Sequence, residues 1–101
     1  MQLEVLAPYE AWVAGLRDKR LRAKIAVRLF RLANGNPGDH RNLTGGISEL
    51  RIDFGPGYRI YYARRGDLLI LLLGGGDKST QHDDIRRASS TLKGWDHDHQ
   101  P

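Results

Sequence analysis

At 101 residues the chain is long enough for one hydrophobic core and too short for two. It is 40% hydrophobic and 28% charged and contains no cysteine, an ordinary folding composition in which disulfides and thiolate metal centres are excluded. The net charge of +4 favours an acidic partner, and the longest apolar run, Leu68 to Leu73, is far too short to cross a bilayer.

The first nine residues carry Glu4 and no base, so no signal peptide is expected, and a reducing cytoplasm suits the chain. Gln2 to Leu6 alternate as a first strand. Pro8 suits the first turn of a helix, and Tyr9, Trp12, Val13 and Leu16 follow at helical spacing until about Asp18. Asp18 is the expected cap of a second helix, in which Leu21, Ile25, Leu29 and Leu32 form one stripe. Asn34-Gly35 and Pro37 end it, and Asn36 to Gly46 read as a polar loop.

The second helix carries an unbalanced charge. Seven basic residues lie between Arg17 and Arg31, with Asp18 the only acid. The plain reading is a solvated helix face. The functional reading is a nucleic-acid surface carried by Arg20, Lys24, Arg28 and Arg31, with affinity that falls steeply with salt.

From Ile47 the period changes from helical to alternating. Leu50, Ile52 and Phe54 precede Gly55-Pro56-Gly57, and Tyr58, Ile60 and Tyr62 follow. A three-residue turn sets Phe54 opposite Tyr58, Ile52 opposite Ile60 and Leu50 opposite Tyr62. Arg65-Gly66-Asp67 marks the next turn. Leu68 to Leu73 reads as a central strand ended by Gly74-Gly75-Gly76. Ser79 is the expected cap of a last helix with Asp83 and Asp84 in its first turn and Ile85, Ala88 and Leu92 on its inner face. The order β-α-α-β-β-β-α predicts an α+β fold, two N-terminal helices on a mainly antiparallel sheet with a C-terminal helix. Residues 1–95 form the expected single domain, and 96–101 a disordered tail.

On the opposite face of the hairpin, that register sets Arg51 against Tyr61 and Asp53 against Arg59. Lys78, just after the third strand of the meander, is able to swing over the same patch. Metal-free cleavage of RNA needs a base for the 2′-hydroxyl, cations for the phosphorane-like charge and an acid for the leaving oxygen. Arginine suits the charge, while tyrosine or lysine moves a proton only when its pKa is lowered. The plain alternative is that Arg59 pairs with Asp53, Tyr61 packs on Arg51, and nothing reacts. Residues 74–80, Gly-Gly-Gly-Asp-Lys-Ser-Thr, fall short of a phosphate-binding P-loop because Asp77 stands where glycine must precede the lysine. His40, His82, His97 and His99 match no strong ligand spacing, so no metal and no cofactor are expected.

Three segments carry a resemblance: Ser48-Glu49-Leu50-Arg51-Ile52, Gly55-Pro56-Gly57-Tyr58-Arg59-Ile60-Tyr61-Tyr62, and Leu72 to Gln81 followed by Asp84-Ile85. With them the chain resembles the RelE/HigB toxins of type II toxin-antitoxin systems, in particular the addiction-module killer proteins of the RelE/ParE superfamily. The resemblance implies a cytoplasmic, ribosome-dependent endoribonuclease, an mRNA interferase that inhibits translation. It also implies a cognate helix-turn-helix antitoxin, through which the complex binds operator DNA. It assigns the scissile phosphate to Arg59, a frequently basic strand position to Arg51, and transition-state charge to Lys78. The sequence departs from better-known members where they carry a late tyrosine, since here Gln81-His82-Asp83-Asp84 stands in that region. Tyr61 and His82 are then the candidates for proton transfer. Alternatives are a non-catalytic ParE-like toxin directed at a protein such as DNA gyrase, or an inactive toxin acting only in an antitoxin repressor complex.

Overall fold

The computed structural model describes residues 1–101. Strand β1 (Gln2–Val5) leads into helices α1 (Ala7–Ala14) and α2 (Lys19–Ala33), followed by strands β2 (His40–Asn42), β3 (Ile47–Ile52), β4 (Tyr58–Arg65) and β5 (Leu69–Asp77), and by helix α3 (Gln81–Asp98). The five strands form one mixed sheet in the order β1-β5-β4-β3-β2. All neighbours are antiparallel except β1, which runs parallel to β5. The α+β class and the three helices are as expected.

The helical hairpin is held at its bend by side chains. Asp18 accepts from the amides of Arg20 (2.8 Å) and Leu21 (3.3 Å), satisfying two free donors at the start of α2. Arg22 reaches back to the carbonyls of Leu16 (2.7 Å) and Val13 (2.9 Å) and so ties the end of α1 to α2. Tyr9, Leu21, Ile25 and Leu32 pack on Leu50, Ile52, Ile60, Tyr62, Ile70 and Leu72. The other face of the sheet buries Ile47, Tyr61, Ala63, Leu71 and Leu73 against Ala88 and Leu92 of α3. The apolar run of β5 thus feeds both cores, which is why it is apolar at every position.

The structure corrects five expectations. The β3–β4 pairing is shifted by two residues, with Ile52 opposite Tyr58, Leu50 opposite Ile60, Glu49 opposite Tyr61 and Arg51 opposite Arg59. The connection runs from Asp53 to Gly57, with Gly55 (φ 53°) and Gly57 (φ 87°) supplying the positive angles. A slip of two keeps every side chain on its own face, so the apolar pattern alone did not distinguish the registers. The loop between α2 and β3 contains β2, an exposed three-residue edge strand. The three glycines continue β5, because Trp12 fills the space a side chain at Gly75 would need and Asp84 the space at Gly76. The residue that caps the turn after β5 is Asp77, which accepts from the Ser79 amide and hydroxyl, so Ser79 is not the cap of α3. Lastly, α3 continues to Asp98. Arg65 grips Asp96 in a two-pronged pair (2.8 and 2.7 Å), Trp95 donates to Glu4 (2.8 Å), and His99 stacks on Trp95, so this segment is tied down rather than frayed.

Candidate functional site

Helix α3 covers only part of its face of the sheet. Where it begins, the row Arg51–Arg59–Gly76 crosses β3, β4 and β5 beside the Asp53–Gly57 connection. Here lies an open groove of about 380 Å³. Arg51, Arg59 and Lys78 line it together with Asp39, Asp53 and the turn Gly55-Pro56-Gly57. Lys78 is fixed at the rim by its own amide, which donates to the Gly57 carbonyl (3.0 Å) and ties the end of β5 to the hairpin turn. The three cations expected to converge therefore share one groove.

Two guanidinium groups directly across a strand pair repel one another. Each is balanced from its own flank. Arg51 pairs with Asp39 (3.1 Å), and its amide also bonds the Asp39 carbonyl (2.9 Å). Arg59 places Nε 3.1 Å from Oε1 of Glu49. Glu49 is a buried carboxylate that accepts its one side-chain hydrogen bond from Gln81 at the start of α3 (2.6 Å) and faces Arg41 of β2 at 3.7 Å. Neither Asp39 nor Glu49 was singled out in the sequence. Alternation put Glu49 on the same row as Ile47 and Arg51, which gave its face but not its partner.

The candidates for proton transfer lie elsewhere. Tyr61 sits beneath α3 with no exposed surface, and its hydroxyl has no hydrogen-bond partner. Burial pushes its pKa up, and the carboxylates of Glu49 and Asp84 push it further. That is the wrong direction for a base. His82 is exposed on the first turn of α3 and does not line the groove.

The basic residues of α2 divide by role. Arg28 turns inward and donates to the carbonyls of Arg51 (2.5 Å), Pro37 (3.0 Å) and Asp39 (2.9 Å), so its head is spent on holding the chain around β2 and β3. Lys24 donates to the Asp53 carbonyl (2.7 Å) and steadies the groove's turn from behind. Arg20 lies 6.0 Å over the ring of Phe54 in the same turn. Arg31 is exposed. Of these four, Arg31 and Arg20 remain to meet a polyanion, with Lys24 and Arg28 committed to the fold.

Chemically, the groove presents planar forks and an ammonium to an oxyanion, with glycines that let a chain approach the backbone. Three cations and two carboxylates, Asp39 and Asp53, line it together. No family model matches the chain. An uncharacterized protein of Haemophilus influenzae is 44% identical to it over 88 residues, covering 87% of this chain and 89% of that relative. At that identity and coverage, the chain belongs to the same family as this Haemophilus influenzae protein.

Proposed function

We propose that the protein is a RelE/HigB-type toxin with a RelE-like fold, a cytoplasmic endoribonuclease that cuts messenger RNA on the ribosome and is neutralised by a helix-turn-helix antitoxin. The observation that carries this reading is the convergence of Arg51, Arg59 and Lys78 in one open groove. Arg59 lies on the floor and Lys78 at the rim, so a bent phosphodiester entering between them gains a planar fork on one side and a mobile ammonium on the other. Charge developing on the phosphoryl oxygens in the transition state is then met by cations already in position, which is where such sites derive most of their rate.

The test is brief expression in cells followed by mapping of new messenger RNA 5′ ends, for wild type, Arg59→Ala and Lys78→Ala. Lys78 is exposed and carries no buried partner, so its variant reads chemistry without a folding defect. Codon-phased cuts that disappear in both variants support the reading, and growth inhibition of equal strength in all three proteins rules it out.

One observation favours a second reading. The groove holds neither the Tyr61 phenol nor His82, the two groups expected to move protons. A non-catalytic toxin that grips a protein target with the same cations needs neither. Growth arrest without new 5′ ends, accompanied by DNA-damage signalling, selects that reading.

A further inference from the structure

Burying a carboxylate beneath a helix is costly, and a well-packed apolar residue at the same place generally costs the fold less. Glu49 is such a carboxylate. It has no exposed surface and sits in the row that includes Ile47, opposite the Tyr61 ring. Stability is therefore a poor account of its presence, and its partners suggest another. Oε1 lies 3.1 Å from Nε of Arg59 and accepts from Nε2 of Gln81 at 2.6 Å. Oε2 and the Arg59 Nε–H both lack a hydrogen-bond partner, so Glu49 holds Arg59 by charge, as an ion pair, and Oε2 is 3.7 Å from Arg41.

The contact is to Nε, the inner edge of the guanidinium. The outer edge is left for something else. On that side Nη1 lies against Gly57, close enough that an added side-chain carbon there would sit 3.6 Å away. Gly57 takes a positive φ of 87° and brings no side chain to compete. The head of Arg59 is thus held between a buried acid on one side and a bare turn on the other, and the side chain is only 14% exposed.

We propose that Glu49 is a positioning residue: its buried charge pairs with Arg59 at the Nε edge and so holds the guanidinium with its two Nη groups as the floor of the anion groove. Gln81 fixes Glu49 in turn and ties the clamp to the first residue of α3. This role rests on the reading of the groove as an RNA site, yet the clamp itself is measurable without any RNA.

The experiment has two arms. The first is the arginine Nε–H region of a ¹H–¹⁵N correlation spectrum of the wild-type protein. Arg59 should give a distinct, slowly exchanging signal, unlike exposed Arg31, and Glu49→Gln should speed its exchange. An Arg59 signal that exchanges like Arg31 in the wild type overturns the clamp, and this result needs no variant to fold. The second arm compares wild type, Glu49→Gln and Glu49→Asp for single-turnover cleavage of ribosome-bound messenger and for the Kd of a 2′-O-methyl RNA that cannot be cut. A misaimed guanidinium should slow cleavage by about 10- to 100-fold. The Kd should move much less, with Glu49→Asp recovering part of the rate. Equal rates in wild type and Glu49→Gln overturn the positioning role. A protected Arg59 signal that depends on Glu49, in a wild-type protein that cuts nothing, keeps the clamp and removes the ribonuclease.

Discussion

Alanine scanning of the three consecutive glycines in β5 should give three different answers. At Gly75 an added methyl would fall far inside contact distance of the Trp12 indole, so the ring has to leave the sheet. At Gly74 nothing lies within 4 Å of the added carbon. Overpacking of this kind costs about 1–3 kcal/mol, and displacing a partly buried tryptophan belongs at the upper end, about 3 kcal/mol. Gly74→Ala runs the other way, gaining about 0.5 kcal/mol from the restricted unfolded chain. The gap between the two variants is then about 3.5 kcal/mol. For a domain of this size each kcal/mol moves Tm by roughly 4–8 °C, so the melting temperatures should differ by at least about 10 °C. Gly76→Ala is also destabilising, because the carbon would displace Asp84 from its bond to the Thr80 hydroxyl (2.5 Å). The assay is thermal unfolding followed by far-UV circular dichroism, with Trp12 emission as a second probe. If Gly74→Ala and Gly75→Ala melt together, the packing of the indole on a bare strand is wrong.

Two further predictions concern charge. Asp96 and Asp77 both titrate below the ordinary aspartate value of 3.8, Asp96 through its bonds to Arg65 and Asp77 through those to Ser79. Carboxyls lowered in the folded state give stability that is complete above the unfolded pKa and is lost as pH falls through the folded one. Urea midpoints should therefore hold from about pH 6 to about pH 4 and drop below that, and Asp96→Asn should flatten the drop; an unchanged slope would refute the pairing. Arg28→Ala removes three donors from backbone carbonyls and should cost about 2–3 kcal/mol, read by chemical denaturation. Its effect on RNA affinity should be no larger than that of a matched destabilising core variant, and a selective loss of affinity would return Arg28 to the nucleic-acid surface.

The helices were legible because their signals are local: Asp18 as a cap, the Leu21–Leu32 stripe, and Gly35 after the last turn. The faces of the hairpin were legible for the same reason, since alternation survives any even slip. What the pattern did not contain was the length of the Asp53–Gly57 connection. Phe54 looked like a strand residue and is instead held in the turn, packed toward the helical hairpin with Arg20 above it. The glycines were misread as a stop, because the bulk that makes them necessary, Trp12 and Asp84, comes from residues distant in sequence. The groove's cations were legible as strand and turn positions. Their counter-charges were not, because Asp39 lies in a loop and Glu49 acts from beneath. Tyr61 illustrates the limit most clearly. Alternation put it on the arginine face, and only the placement of α3 shows that this part of the face is sealed.

The parallel pairing of β1 with β5 has a kinetic consequence. Residues 2–5 have no partner until the last strand exists, and the bond from Trp95 to Glu4 spans 91 positions. During synthesis the hairpins of β2, β3 and β4 are free to assemble as they emerge, while the opening strand waits, with its apolar side chains uncovered. Closing so long a loop is slow compared with zipping a hairpin. The nascent chain therefore passes through a stage with an unpaired edge on β5, and that is the stage at which a chaperone or an early-bound partner has most to gain by intervening.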